Sequence, residues 1–120
     1  MSIYEVSRYF FLTMAYNCLM SDISEYQKRA WANKIKHNFN LDDINLEFNY
    51  LYGEVGEAFD AWYKKKDDLG SELADIAIYL FGLSEMLGFD LDAEIQKKMD
   101  INERRVYKKV NGIDVKELQA

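Results

Sequence analysis

The fold of this chain is decided by residues 51–87, LYGEVGEAFDAWYKKKDDLGSELADIAIYLFGLSEML. This stretch contains two pairs of acidic residues, Glu54 with Glu57 and Glu72 with Asp75. Residues three apart lie on one face of an α-helix, so each pair projects from a single helical face. Apolar residues recur at helical spacing on both sides of a short polar turn, and this pattern predicts two consecutive helices.

Two apolar stripes mark the faces of these helices that we predict to be buried. The first helix begins after a capping Asp42 or Asp43 and extends to about Lys65. Its stripe consists of Leu51, Val55, Ala58, Phe59 and Trp62. The second helix ends at Gly88, because glycine is favoured just after helix C-termini. Its stripe consists of Leu69, Leu73, Ile76, Ala77, Leu80, Leu83 and Leu87. The short linker predicts antiparallel packing.

Helical rotation places the four acids on one side of this helix pair. At about 100° per residue, Glu54 and Glu57 lie roughly 80° and 140° to one side of their stripe. Glu72 and Asp75 lie roughly 75° and 135° to the same side of theirs. Antiparallel helices that face each other are related by a two-fold axis, which keeps such offsets on one side. The four acids are therefore predicted to meet.

Four carboxylates at the edge of a core repel one another, and a bound cation relieves the repulsion. Ligand sets made only of oxygen suit magnesium, manganese or calcium better than zinc. Magnesium also bridges protein carboxylates and substrate phosphates, which makes a nucleoside polyphosphate a natural ligand. The competing interpretation is a solvated acidic face, and the spacing leaves both interpretations open.

Three further helices complete an all-α antiparallel bundle of about five helices. A chain without proline and rich in strong helix formers supports this class. The predicted ranges are residues 3–20, 24–37 and 91–107. The first of these is apolar nearly all round, which is typical of a helix buried against another helix or another subunit. In the tail, residues 110–120, Asn111-Gly112 either forms a tight turn or the chain frays.

Length and charge narrow the classes of function. At 120 residues the chain has the size of a single domain, residues 1–120. Its net charge of −6 argues against a general binder of nucleic acids or anionic membranes. The longest uncharged run, residues 9–21, is shorter than the roughly 20 apolar residues that span a bilayer. Because Cys18 is the only cysteine, we expect a reducing, cytoplasmic setting.

The last predicted helix carries a basic face, which we define as Lys98, Asn102 and Arg105. These residues follow one another at steps of four and three, so they lie on one side of the helix. Such a face suits phosphate oxygens, for which arginine offers a planar fork of donors. Since the helix is basic elsewhere too, an ordinary solvated face is the default interpretation.

The acids and the basic face together resemble a known family. EVGE at residues 54–57, fourteen intervening residues and ELAD at residues 72–75 resemble the E-x-x-E…E-x-x-D motif of the MazG-like superfamily, the all-α nucleoside triphosphate pyrophosphohydrolases. The basic face matches the K-x-x-x-N-x-x-R pattern of that family, and the resemblance covers about residues 26–107. The aromatic helix at residues 3–20 departs from the minimal family core, which leaves assembly and substrate open.

The resemblance implies a homodimer or homotetramer that hydrolyses a nucleoside triphosphate to the monophosphate and pyrophosphate. It implies that the four acids hold magnesium, or manganese in its place, and that the basic face contacts the phosphates. Metal-assisted hydrolysis then assigns catalytic roles to Glu57 and Glu54, with Glu57 as the acceptor of a proton from water.

Base recognition is less constrained. Trp31, Phe39 and Asn38 are candidate base-binding residues, with Asn40 as the alternative to Asn38, because aromatic rings stack on bases and amides bond to base edges. Tyr50 and Trp62 are further aromatic candidates, although Trp62 lies in the predicted core stripe.

Two alternatives for the function stay open. One is a relative with a narrow substrate, such as dUTP or a phosphoribosyl nucleotide, and the other is a non-catalytic helical module for oligomerisation or partner binding.

Overall fold

The structure, a computed structural model, describes residues 2, 3, 5 and 22–118. Its helices are α1 (Asp22–Lys36), α2 (Ile44–Tyr63), α3 (Leu69–Leu87) and α4 (Leu91–Arg104), and its strands are β1 (Tyr107–Val110) and β2 (Ile113–Lys116). The predicted helical class is confirmed, with a small β-hairpin added. The predicted helix at residues 3–20 lies outside the described residues, apart from Ile3 and Glu5. No described helix is long and apolar enough to cross a membrane.

Helices α2 and α3 form the predicted antiparallel pair around a short connection, and α1 also packs on α3. Their ends follow local sequence rules. Asp43 caps α2 by accepting a hydrogen bond from the Leu46 N–H (3.0 Å). Gly88 ends α3 in the left-handed conformation, with φ of 76°, which glycine adopts without steric cost.

Small side chains decide which side of α2 faces α3. The inner face of α2 carries, at steps of three and four, the residues Glu47, Leu51, Glu54, Ala58 and Ala61. Ala58 and Ala61 are buried, and their size lets the backbones of the two helices approach closely. The acid Glu54 therefore lies on the inner face itself rather than well to one side of it.

Part of the predicted core was wrong for the same reason. Val55, Phe59 and Trp62 are exposed, Trp62 to 62%. These side chains project from the outer side of α2, where the rings of Phe59 and Trp62 pack against each other with centroids 6.0 Å apart. The outer side of α2 is thus a large apolar surface.

The predicted stripe of α3 was also only partly correct. Leu73, Leu80 and Leu87 are exposed, whereas the buried residues of α3 are Phe81, Gly82, Leu83 and Ser84. Four consecutive buried residues are not one helical face. They are buried together because α1 and α2 contact α3 from two directions.

The C-terminal segment forms a hairpin. Helix α4 ends at Arg104, three residues before the predicted end, and β1 pairs with β2 so that Val110 lies opposite Ile113. Asn111 and Gly112 have φ of 52° and 78°, and two positive values are the requirement of the tight hairpin turn that an Asn-Gly pair favours. The turn alternative is confirmed over fraying.

Candidate functional site

Three of the four acids converge where α2 and α3 approach their connection. Carboxylate oxygens of Glu54, Glu57 and Glu72 all lie within 4.8 Å of one another. Glu54 and Glu72 are half-buried and Glu57 is exposed. Asp75 lies outside this group, but its charge acts on both Glu54 and Glu72. The sequence-predicted acids therefore form a triad with Asp75 beside it.

The register of the antiparallel pair places these acids. Tyr50 of α2 packs against Tyr79 of α3, with ring centroids 6.2 Å apart. Glu54 lies one turn beyond Tyr50 and Asp75 one turn before Tyr79, so the two acids reach the same level from opposite chain directions.

The environment of the triad disfavours negative charge. Burial raises the pKa of Glu54, and the charges of Glu57 and Asp75 raise it further. Burial also raises the pKa of Glu72, with Asp68 and Glu57 as the next causes, while Lys66 offsets part of the shift. Crowded carboxylates of this kind favour either a bound proton or a bound cation.

The donor set fits a hard divalent cation. All donors are carboxylate oxygens, the ligands that magnesium, manganese and calcium prefer. Two oxygens bound to one magnesium ion lie at most about 4 Å apart, since each bond is about 2.0–2.1 Å long. The three carboxylates therefore need to move only slightly toward one another to bind one ion. Among the residues that the structure describes, it is the only cluster of acidic, histidine or cysteine side chains with this proximity.

A cavity of about 740 Å³ opens beside the acids, between α1, α2 and α3. Glu54 and Asp75 line one end of it, and Tyr50 and Tyr79 line its middle. Its other end is lined by polar residues of α1, of the following loop and of α2, namely Asn33, Lys34, Asn38, Asn40 and Glu47. Glu54 and Asp75 thus connect the acid cluster with the cavity, whereas Glu57 and Glu72 are not part of its lining.

Several of the base-binding candidates from the sequence line this cavity, including Tyr50 and Asn40. Phe39 and Asn38 lie at its wall, whereas Trp31 is half-buried and is not part of the lining. The Phe39 ring stacks on His37, with centroids 5.4 Å apart. The Phe39 ring thus contacts His37, while the residue remains 55% exposed.

The basic face lies elsewhere in this chain. Helix α4 packs mainly on α1, and neither Lys98 nor Arg105 is among the groups that shift the pKa of Glu54 or Glu72. Arg105 lines a separate cavity of about 450 Å³ with Arg104 and Lys116, and its buried Nε has no hydrogen-bond partner in the described part of the chain. The single chain therefore does not bring the basic face to the acids.

Lys34, Glu47 and Tyr79 line the cavity but were not identified from the sequence. The available signal was spacing: Glu47 precedes Glu54 by seven residues, which is two helical turns. An acid at that position is easily taken for an ordinary acid of the first helical turn, where acids are common.

Comparisons of the chain with protein-family models, with curated proteins and with solved structures gave no match.

Proposed function

We propose that the protein hydrolyses a nucleoside triphosphate to the monophosphate and pyrophosphate in a magnesium-dependent reaction, with manganese as a substitute for magnesium. The observation that carries this proposal is the triad of carboxylates within 4.8 Å of one another, of which Glu54 lines a cavity of about 740 Å³. The cavity has a volume in the range of ordinary ligand pockets. The resemblance of the acid motifs to the MazG-like superfamily supports the same reaction.

Glu54, Glu57, Glu72 and Asp75 are the proposed metal ligands. When bound, magnesium supplies charge that stabilises the phosphoryl oxygens and lowers the pKa of water. Glu57 is the exposed member of the triad, which suits it to accept a proton from the attacking water. Glu54 is the second proposed catalytic acid, because it lines the cavity and lies beside Glu57, whose charge and hydrogen bond help to raise its pKa.

The basic face remains the proposed phosphate-binding group, and it requires an assembly. Because α4 packs on α1 in a single chain, we assign the phosphate contacts to a second copy in a homodimer or homotetramer. The exposed apolar surface of α2, which includes Phe59, Trp62 and Tyr63, supports association. Apolar surfaces of this kind mark interaction sites on soluble proteins.

Release of pyrophosphate from the common ribo- and deoxyribonucleoside triphosphates, with and without magnesium, tests the proposal. Glu72→Gln keeps the size of the side chain and removes one charge, and we expect it to lower the rate at least about 100-fold, the scale on which positioned catalytic groups act. Glu103→Gln on α4 is the matched control and should behave as wild type. Equal rates for wild type and Glu72→Gln would contradict the proposal. Activity confined to dUTP or a phosphoribosyl nucleotide would instead select the narrow-substrate alternative.

A second candidate is a non-catalytic helical module that binds a partner or another copy. The observation in its favour is again the exposed aromatic surface of α2, where Tyr63 is 71% exposed. This candidate predicts no magnesium-dependent release of pyrophosphate from any nucleotide. It also predicts that Phe59→Ser changes the molecular mass in solution, whereas Glu57→Gln does not.

A further inference from the structure

A buried ion pair closes the end of the cavity that lies away from the acids. Glu47 is 1% exposed, and its Oε1 accepts a hydrogen bond from Lys34 Nζ. Its Oε2 accepts a second bond from Asn40 Nδ2 (3.0 Å). Taking two charges out of water is costly, and apolar pairs of similar size are often equally stabilising. Folding stability alone therefore gives little reason for charges at this place.

Lys34 has donors to spare. Its ammonium group carries three N–H donors and no acceptor, and Glu47 is the hydrogen-bond partner that the described residues provide. The Lys34 side chain is 11% exposed and lines the cavity. A Cβ at Gly82 would lie 3.2 Å from Lys34 Cδ, so the glycine leaves room for the lysine stem. Because the Lys34 ammonium reaches the cavity and has more N–H donors than its bond to Glu47 uses, the cavity presents a donor to which a ligand can bond.

Asn40, in contrast, has no donor to spare. Its Nδ2 donates to the Asp43 carbonyl (2.7 Å) as well as to Glu47, and its Oδ1 accepts from the Asp43 N–H (3.0 Å). These bonds hold the loop between α1 and α2 against the ion pair. Asn40 is therefore a positioning residue, and Lys34 is the group that faces a ligand.

The cavity extends along α2 from the acids to the Lys34–Glu47 ion pair. Glu47 and Glu54 lie on the same face of α2, two turns and about 10 Å apart along the helix axis. Tyr50 and Tyr79 line the wall between them. A ligand whose phosphates lie at the acids extends past the two tyrosines, so that its opposite end reaches Lys34.

We propose that the Lys34–Glu47 end of the cavity binds the nucleotide base and selects bases that carry a carbonyl at C6 of a purine or C4 of a pyrimidine, as guanine, hypoxanthine, uracil and thymine do. This inference rests on the proposed function in taking the ligand to be a nucleotide. The Lys34 ammonium donates to the carbonyl oxygen. Adenine and cytosine present an amino group at the corresponding ring position, which sets a donor against a donor and leaves both unpaired.

Binding of nucleosides in the presence of a metal chelator tests the inference without any hydrolysis. Inosine against adenosine, and uridine against cytidine, differ at this ring position in presenting an oxo or an amino group. Chemical-shift titration of the labelled protein gives the dissociation constants. We expect each oxo nucleoside to bind about tenfold more tightly than its amino counterpart, as one good base contact provides, with shifts at the Lys34 amide. Equal affinities, or no nucleoside binding, would overturn the inference.

A double variant, Lys34→Met/Glu47→Leu, removes both charges together, so that no buried charge is left unpaired. We expect it to bind the oxo and amino nucleosides equally, while Lys36→Met on the exposed side of α1 keeps the wild-type preference. A preference that persists in the folded double variant would overturn the inference. If the double variant does not fold, the comparison of the two nucleoside pairs on the wild-type protein still tests the inference. A preference for oxo nucleosides without pyrophosphate release would support this base site and contradict the hydrolase proposal. Hydrolysis of nucleoside triphosphates without any base preference would support the hydrolase proposal and contradict the base site.

Discussion

Tyr50 and Tyr79 face each other across α2 and α3, with ring centroids 6.2 Å apart and ring planes inclined by 55°. This contact sets the register of the antiparallel pair one turn away from Glu54 and Asp75. Burial raises the pKa of the Tyr79 phenol, and the charge of Glu54 is the next cause. The two tyrosines therefore connect the packing of the helix pair with the electrostatics of the acid cluster.

Magnesium is expected to stabilise the wild-type protein through the triad. A ligand that binds only the folded state, at about 100 times its dissociation constant, stabilises by about 2.7 kcal/mol. Thermal unfolding of wild type should shift upward when magnesium replaces a chelator. Glu54→Gln should not shift, and in the chelator it should unfold at a higher temperature than wild type because one repulsive charge is gone. An equal magnesium shift for wild type and Glu54→Gln would contradict a metal site here, and Glu103→Gln serves as the control.

The metal-free protein should lose stability as the pH rises through the titration of the cluster. The folded-state pKa values of Glu54 and Glu72 lie above the ordinary value of 4.5, so the folded state holds protons that the unfolded state releases. The free energy of unfolding therefore falls as pH increases from 4.5 through these raised values. Urea unfolding measures this effect. The stability of the double variant Glu54→Gln/Glu72→Gln relative to wild type should increase across that pH interval. A difference that does not change with pH would contradict the shifts.

Gly82→Ala should test the close approach of Lys34 to α3. Replacing glycine by alanine inside a helix ordinarily stabilises by about 0.5–1 kcal/mol. We expect that gain for Gly53→Ala, because nothing lies within 4 Å of its new Cβ. At Gly82 the Cβ would lie 3.2 Å from Lys34 Cδ, and Lys34 is held by Glu47. Urea unfolding should therefore place Gly82→Ala about 1 kcal/mol or more below Gly53→Ala, whereas equal gains would show that Lys34 moves freely.

Two helix caps should differ in strength. The Asp90 side chain accepts a hydrogen bond from the Ala93 N–H (3.2 Å) at the start of α4, whereas Asp68 makes no such bond at the start of α3. Asp90→Ala is expected to cost about 1 kcal/mol of stability. Asp68→Ala should cost less, and it also removes a charge that raises the pKa of Glu72. Chemical unfolding of both variants measures the difference, and equal costs would refute this ranking.

Local rules made the helix ends predictable. Asp43 and Gly88 cap the helices at the positions where their residue types led us to expect caps. The level of Glu54 with Asp75 was predictable to within about one helical turn, because the two residues are equidistant from a point between Lys64 and Lys65 and a short connection favours antiparallel packing. The rotation of α2 was not predictable. Apolar residues surround that helix, so periodicity alone did not distinguish the side of Ala58 from the side of Trp62.

The sequence by itself determined the helices between residues 22 and 104, the caps at Asp43 and Gly88 and the pairing of two acid motifs across one helical hairpin. These features depend on residues a few positions apart. Only the tertiary structure decided which side of α2 faces α3 and that Glu47 is buried against Lys34. It also decided that a cavity runs from that ion pair to the acids. The physical reason is that small alanines permit close helix packing, and this choice is made between helices rather than within one.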